Sequence, residues 1–449
     1  MQIAIVSEHA SPLAALGGVD SGGQNVYVAQ VSRELGALGH DVVVFTRRDA
    51  AETQETVECG PNVRVVQVEA GPQRPVPKEK LLPYMEQFTR NTISWMERNG
   101  ETFDIVHANF FMSGLVAARI QQLLDIPFVI TFHALGRVRR GHQGSQDGFP
   151  NSRFAVEEQC VDEARLIIAE CPQDEDDLIE LYDADPARIR MAPCGFSPEE
   201  MYPVPKEHAR ARLGIADDRP VLLQLGRMVP RKGVEEVIRG VGHLVRNTST
   251  EPLLLVVGGE TREPDPQATP ELGRLMEIAR EEGIEHLVRF EGQRNRDELR
   301  YYYSAADLFL STPWYEPFGI TPLEAMACGT PVLGSRVGGI KFTVMDGVTG
   351  RLVEPRDPQA IGHALAGLLA RPESLARMSE AALERARSFT WAGVALQLDE
   401  IYMEALTGRK AVSPFAPTGE LRRDHPLAAV GFHVSPGVLA KDSTMGRGK

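Results

Sequence analysis

Short apolar runs rich in valine and isoleucine recur along the chain, alternating with longer stretches whose apolar residues return at helical spacing. The first series falls at 3–6, 42–45, 63–68, 104–107, 128–132, 166–169 and 189–191. Strand, helix, strand order of this kind predicts a parallel sheet with helical crossovers. A second series at 221–225, 253–257, 288–290, 308–310 and 332–334 predicts a second α/β sheet. Between them, residues 194–205 carry Gly195, Pro198, Pro203 and Pro205, which break any regular element and read as a linker. The expected fold class is therefore α/β, with two Rossmann-like doubly wound domains, 1–197 and 198–388, facing a cleft. A helix is expected over 391–406, and the proline-rich, polar stretch 408–449 is expected to be mostly disordered.

Length agrees with two domains, since 449 residues exceed the roughly 250 to 300 that one hydrophobic core serves. Hydrophobic residues at 43% and charged residues at 24% are those of a soluble globular protein. No apolar run approaches the roughly 18 residues of a membrane span, so no transmembrane segment is expected. No basic and apolar leader precedes the first strand, and the expected location is the cytoplasm. A net charge of −14 argues against a nucleic-acid partner. The best basic patch, Arg137, Arg139 and Arg140, reads either as a solvated face or as a contact for an anionic substrate or lipid head group, which leaves room for peripheral membrane contact. The five cysteines, Cys59, Cys160, Cys171, Cys194 and Cys328, are widely spaced and without a C-x-x-C pair. They suggest neither a disulfide framework nor a zinc site, and most read as core residues.

In doubly wound folds ligands bind beyond the C-terminal ends of the strands, and the informative motifs follow strands. After the first comes Gly17, Gly18, Val19, Asp20, Ser21, Gly22, Gly23, Gln24 and Asn25, leading into a helix. Glycines there bare backbone N–H groups at a helix start, a setting for phosphate; the alternative is a flexible turn with Ser21 as N-cap. The spacing is not G-x-G-x-x-G, and Thr46 and Arg47 stand where a dinucleotide dehydrogenase has its ribose-binding acid. After the first strand of the second series, Gly226-Arg227 and Lys232-Gly233 place two cations at a strand end, suited to a diphosphate or to a solvated loop. Further on, Glu316 and Glu324 flank a loop-to-helix junction through Phe318, Gly319, Ile320, Thr321 and Pro322. There Thr321 and Glu324 fit a capping box with Pro322 at the first helical position, while Glu316 has no evident structural role. His133, just past the strand at 128–132, is a ligand candidate from the first domain.

The glycine turn, Gly226-Arg227 with Lys232-Gly233, and Glu316 to Glu324 with seven residues between resemble the retaining glycosyltransferase family four, and the resemblance covers the chain to about Leu406. It implies a GT-B fold whose 389–407 segment crosses back onto the first domain. It also implies transfer of a hexosyl group from a nucleotide-sugar, with UDP-glucose favoured over GDP-mannose or UDP-N-acetylglucosamine, to a sugar, polyol or sugar-phosphate acceptor. By the same resemblance Arg227 and Lys232 hold the donor diphosphate, Glu324 the ribose and Glu316 the donor sugar. His133 meets an outer sugar hydroxyl, Gly22 and Gly23 offer backbone donors, Phe318, Gly319 and Ile320 line the donor, and Arg294 with Gly292 and Gln293 lines the base. Asn25, Lys78 and Arg153 match acceptor-binding positions, with Phe110 and Ala134 where hydroxyl-bearing partners stand in the family. No cofactor and no essential metal are expected, because two cations and a helix start already meet the diphosphate. The rival readings are a nucleotide-sugar 2-epimerase and a non-catalytic nucleotide-sugar binder.

Overall fold

In a computed structural model, which describes residues 1–14, 22–216 and 218–409, two sheets follow one another along the chain. The first contains β1 (Gln2–Val6), β2 (Asp41–Arg47), β3 (Thr56–Gly60), β4 (Val63–Val68), β5 (Ile105–Asn109), β6 (Phe128–Thr131), β7 (Leu166–Ala169) and β8 (Ile189–Met191), in the order β3-β4-β2-β1-β5-β6-β7-β8. The second contains β9 (Val221–Leu225), β10 (Leu253–Val257), β11 (Val288–Gly292), β12 (Leu308–Ser311), β13 (Val332–Ser335) and β14 (Gly350–Val353), in the order β11-β10-β9-β12-β13-β14. All pairings are parallel except β3 with β4. The turn residues 15–21 and nearly all of the expected disordered stretch, from Lys410 on, lie outside the described residues.

Burial follows from the strand period of two. On β2, Val42 and Val44 enter one helical layer while Val43 and Phe45 enter the other, so a parallel strand between two layers is apolar on both faces. Helices present one stripe: in Val234–Asn247 the buried Val234, Val237, Ile238, Val241 and Leu244 recur at three- and four-residue spacing. The sequence reading omits β3 and β14. β3 is an exposed antiparallel edge carrying Glu58 and Cys59, so it shows no apolar run. Four of the five cysteines are buried and Cys59 is exposed.

The strand order reverses between β1 and β5 in the first sheet and between β9 and β12 in the second. Each reversal opens a crevice at strand C-termini, and the two crevices face one cavity. The chain passes between the sheets twice at one place. Phe196 on the way out pairs in parallel with Thr390 on the way back, through Phe196 N–H to the Phe389 carbonyl at 2.9 Å and Trp391 N–H to the Phe196 carbonyl at 3.1 Å. The return helix, Trp391–Thr407, starts with the Thr390 hydroxyl accepting from Gly393 N–H and then packs on the helix Gly23–Ala37 of the first sheet. Trp391 lies edge-on to Tyr27, and the Tyr402 hydroxyl meets His107 Nδ1 at 2.7 Å.

Candidate active site

The cavity between the sheets measures about 690 Å³ and is lined from both sides. On the second-sheet side, the segment after β9 forms a short turn, Pro230–Lys232, which aims Lys232 at Glu316 in the loop after β12. Two glycines make this contact attainable. A Cβ on Gly233 (φ +71°) would sit 1.9 Å from the Thr312 carbonyl oxygen, and one on Gly338 (φ +42°) would sit 1.8 Å from that of Glu316. Lys232 Nζ is in direct contact with Glu316 Oε2, and Arg231 Nη1 lies 3.6 Å from the same oxygen. Burial would push the Glu316 carboxyl up, but Lys232 and Arg231 outweigh it and hold the group below the ordinary carboxylate value. Burial lowers the Lys232 ammonium from its ordinary value; Glu316 opposes the fall, while Arg231 and Arg227 add to it. The result is an ionised carboxylate inside a cluster of three cations, one of which, Arg231, sequence reasoning passes over although it stands beside Lys232.

Arg227 reaches the same cavity and abuts the first domain, its Cδ 3.8 Å from where a Gly22 Cβ would be. Gly22 is the cap of the helix Gly23–Ala37, and a Gly23 Cβ would stand 3.6 Å from Ile320 Cδ1. The glycine turn, Arg227 and the start of the helix Ile320–Ala327 are thus brought together. That helix is capped by Gly319 at φ +91°, without a side-chain cap bond. The capping box read from Thr321 and Glu324 is therefore corrected: the helix begins one residue before Thr321, and Pro322 takes its third position. Glu324 instead is buried at 2% exposure, accepting from the Tyr303 hydroxyl at 3.0 Å and facing Arg296 Nη2 at 2.8 Å. Arg296 also meets Glu200 in the linker, a bridge that a lone arginine in the sequence does not announce. Phe318, Gln293 and Arg294 line the cavity. The Arg294 guanidinium is engaged by the Tyr302 hydroxyl and Glu291, both at 2.8 Å.

From the first sheet, His133 enters at φ +57°, a strained conformation for a residue with a side chain. Its Nδ1 lies 3.1 Å from Glu170 Oε1 and its Nε2 3.0 Å from Asn109 Oδ1. Burial raises the Glu170 carboxyl, yet His133 and the Cys194 thiol more than offset this and hold it below its ordinary value. Glu170 directly follows β7, the strand-end position that singles out the other site residues, and would have been found by that signal.

The three matched acceptor positions separate. Lys78, at the start of a short turn, lines the cavity. Asn25 also lines it, but its side chain closes the turn: Oδ1 accepts from Gly22 N–H at 2.9 Å and Nδ2 donates to the Ser11 carbonyl at 3.0 Å. Arg153 is a correction. Its side chain is fully buried, with Nε donating to Glu157 at 2.7 Å and Nη2 to the Ala134 carbonyl, so it supports the cleft wall from behind. The basic patch is likewise engaged within the fold: Arg137 pairs with Glu158, and Arg139 and Arg140 share Asp147.

Residues 21–200 match Glycosyltransferase Family 4 and residues 205–385 match Glycosyl transferases group 1, so the two matches meet in the linker. A D-inositol 3-phosphate glycosyltransferase of Corynebacterium glutamicum is 36% identical over 412 residues, spanning 90% of this chain and 97% of the relative. One of Frankia alni is 35% identical over 405 residues, spanning 89% and 98%. The solved sucrose-phosphate synthase of Thermosynechococcus elongatus superposes with a TM-score of 0.83 at 33% identity, over 91% of this chain and 100% of that one. HepE of Anabaena, solved with UDP and glucose, shares the fold at 20% identity with a TM-score of 0.70, over 90% and 100%. Two doubly wound sheets meeting across a cationic cleft define a glycosyltransferase of the GT-B class. The chain belongs to glycosyltransferase family four.

Proposed function

We propose that this glycosyltransferase moves a hexosyl group from a nucleotide-sugar to a hydroxyl of a sugar, polyol or sugar-phosphate, with retention at the anomeric carbon. The observation that carries the reading is the Lys232–Glu316 contact, set with Arg227 and Arg231 in the cavity that His133 enters from the other side. In this reading the cations receive the charge that develops on the departing diphosphate, the largest electrostatic demand of glycosyl transfer. Glu316 orients the sugar hydroxyls and keeps the cations in place. Glu324 binds the ribose, sharing its carboxylate with Tyr303 and Arg296. The acceptor enters from the Lys78 side, and its proton passes to the leaving phosphate on the same face of the sugar. UDP-glucose is the donor proposed, ahead of GDP-mannose and UDP-N-acetylglucosamine.

The diphosphate charge is met by side chains and a helix start, so full activity is expected in excess chelator. Among the described residues no helix is long and apolar enough to cross a membrane, and the proposed location is the cytoplasm. The test is nucleotide release from each of the three donors, with and without sugars, inositols and their phosphates, followed by NMR of the product anomer. Acceptor-stimulated release with a retained linkage supports the reading. Donor binding without acceptor-dependent turnover refutes it.

A further inference from the structure

The acceptor side of the cavity carries a charge pattern from which one class of acceptor follows, an inference that rests on the transferase reading above. Four cationic side chains stand in or behind this wall. Arg139 is held by Asp147 at 2.8 Å and faces Glu79 at 3.5 Å, and Arg140 shares Asp147 at 3.2 Å. Lys78 is followed directly by Glu79, and both line the cavity. Arg153 has Glu157 against it, with the Phe110 and Phe149 rings 4.9 and 4.5 Å from its guanidinium carbon. Its Nη1, with no hydrogen-bond partner, is covered and not open to the cleft.

A phosphate monoester needs cations or donors in surplus, preferably a guanidinium fork. Here the forks are already committed to carboxylates, Arg139 to Asp147 and Glu79, and Arg153 to Glu157, which leaves neither open for a phosphate. The surfaces that do face the cavity are of another kind. Phe110 and Ala134 offer apolar contact, while Gln146 and Glu79 offer a donor and acceptors for hydroxyl groups. Phe110 is held there at φ +87°, a conformation that a side-chain-bearing residue adopts only under constraint.

We propose that the acceptor is an uncharged polyhydroxyl compound, a free sugar or polyol without phosphate. In the step itself the anomeric carbon–oxygen bond to the diphosphate breaks, the bond from the anomeric carbon to the acceptor oxygen forms, and the acceptor proton leaves with the nucleoside diphosphate. The test uses the full chain and matched pairs: myo-inositol, glucose and fructose against their phosphate monoesters, each with the donor that turns over. The uncharged member is expected to have the higher kcat/KM by about tenfold or more, the order expected when a charged group is left without the hydrogen bonds it needs. Glu79→Gln is expected to narrow that ratio by improving the phosphorylated member. A phosphorylated acceptor preferred by the unaltered protein overturns the inference and leaves the transferase reading standing. Transfer to no member of either set, with donor bound, overturns both.

Discussion

Replacing Glu316 by Gln removes one charge from the cavity while keeping its size, and the surroundings set the size of the effect. Glu316 is 12% exposed and touches Lys232 directly, with Arg231 at 3.6 Å. Lys232 is already lowered by burial and by two arginines, and Glu316 is the group opposing that fall. Without it, nothing of opposite charge opposes that fall, and the cations lose the carboxylate that holds them in place. A pair of unit charges near 4 Å interacts by about 4 kcal/mol at an effective dielectric of 20, and the open cleft screens part of this. Loss of one preorganised electrostatic group costs about 3 kcal/mol of transition-state stabilisation, or about two powers of ten in kcat. Lys232→Met should lose a similar amount. Because the two act as a unit, the double variant should fall close to either single one. The assay is steady-state nucleotide release with saturating donor and acceptor, with a thermal melt to confirm folding. Single variants within about fivefold of the parent, or losses that simply add, would refute the electrostatic role.

Three further outcomes follow from groups described above or packed beside them. Asp174 sits behind Glu170, accepting its backbone N–H at 3.1 Å, and burial with the Glu170 charge lifts its carboxyl from 3.8 to about 8. The folded form therefore binds a proton that the unfolded form releases, and stability should fall as pH rises from about 4 to about 8. Melting temperatures across that range should flatten in Asp174→Asn, and an unchanged slope would contradict the burial argument. Tyr402→Phe leaves the buried His107 Nδ1 without its 2.7 Å partner and should destabilise the chain by about 1 to 3 kcal/mol, read from denaturant unfolding. Transfer activity measured in excess chelator should equal that without it, whereas loss restored by a divalent cation would reverse the proposed handling of the diphosphate.

What the sequence made legible divides along physical lines. Buried parallel strands such as β2 and β10 announce themselves because both faces are apolar. The edge strand β3 does not, since only its ladder to β4 defines it. Lys232 and Glu316 could be read because each follows a strand in a doubly wound pattern and carries a charge there. Arg153 could not, because its side chain is claimed by Glu157 one helical turn on and by rings from elsewhere in the fold. Asn25 lines the cavity as its position suggests, but that its amide also closes the turn rests on contacts with Gly22 and Ser11 that position alone does not reveal. Arg296 acts through its tertiary partners Glu200 and Glu324, and no local pattern marks it, whereas Glu170 stands at a strand end and could have been read from that position.

The return helix bears on how this chain is made. Tyr402 is 295 positions beyond the His107 it covers, and Trp391 fills the space between Tyr27 and the backbone at Gly195. During synthesis, the first sheet therefore emerges with one side of its helical layer uncovered and must wait for nearly the whole second half to be translated before closure. At about 5 to 20 residues per second that interval is of the order of 10 to 40 seconds, with apolar surface open throughout. A fragment ending in the linker would keep that surface open for good, since the helix that covers it lies beyond the second sheet.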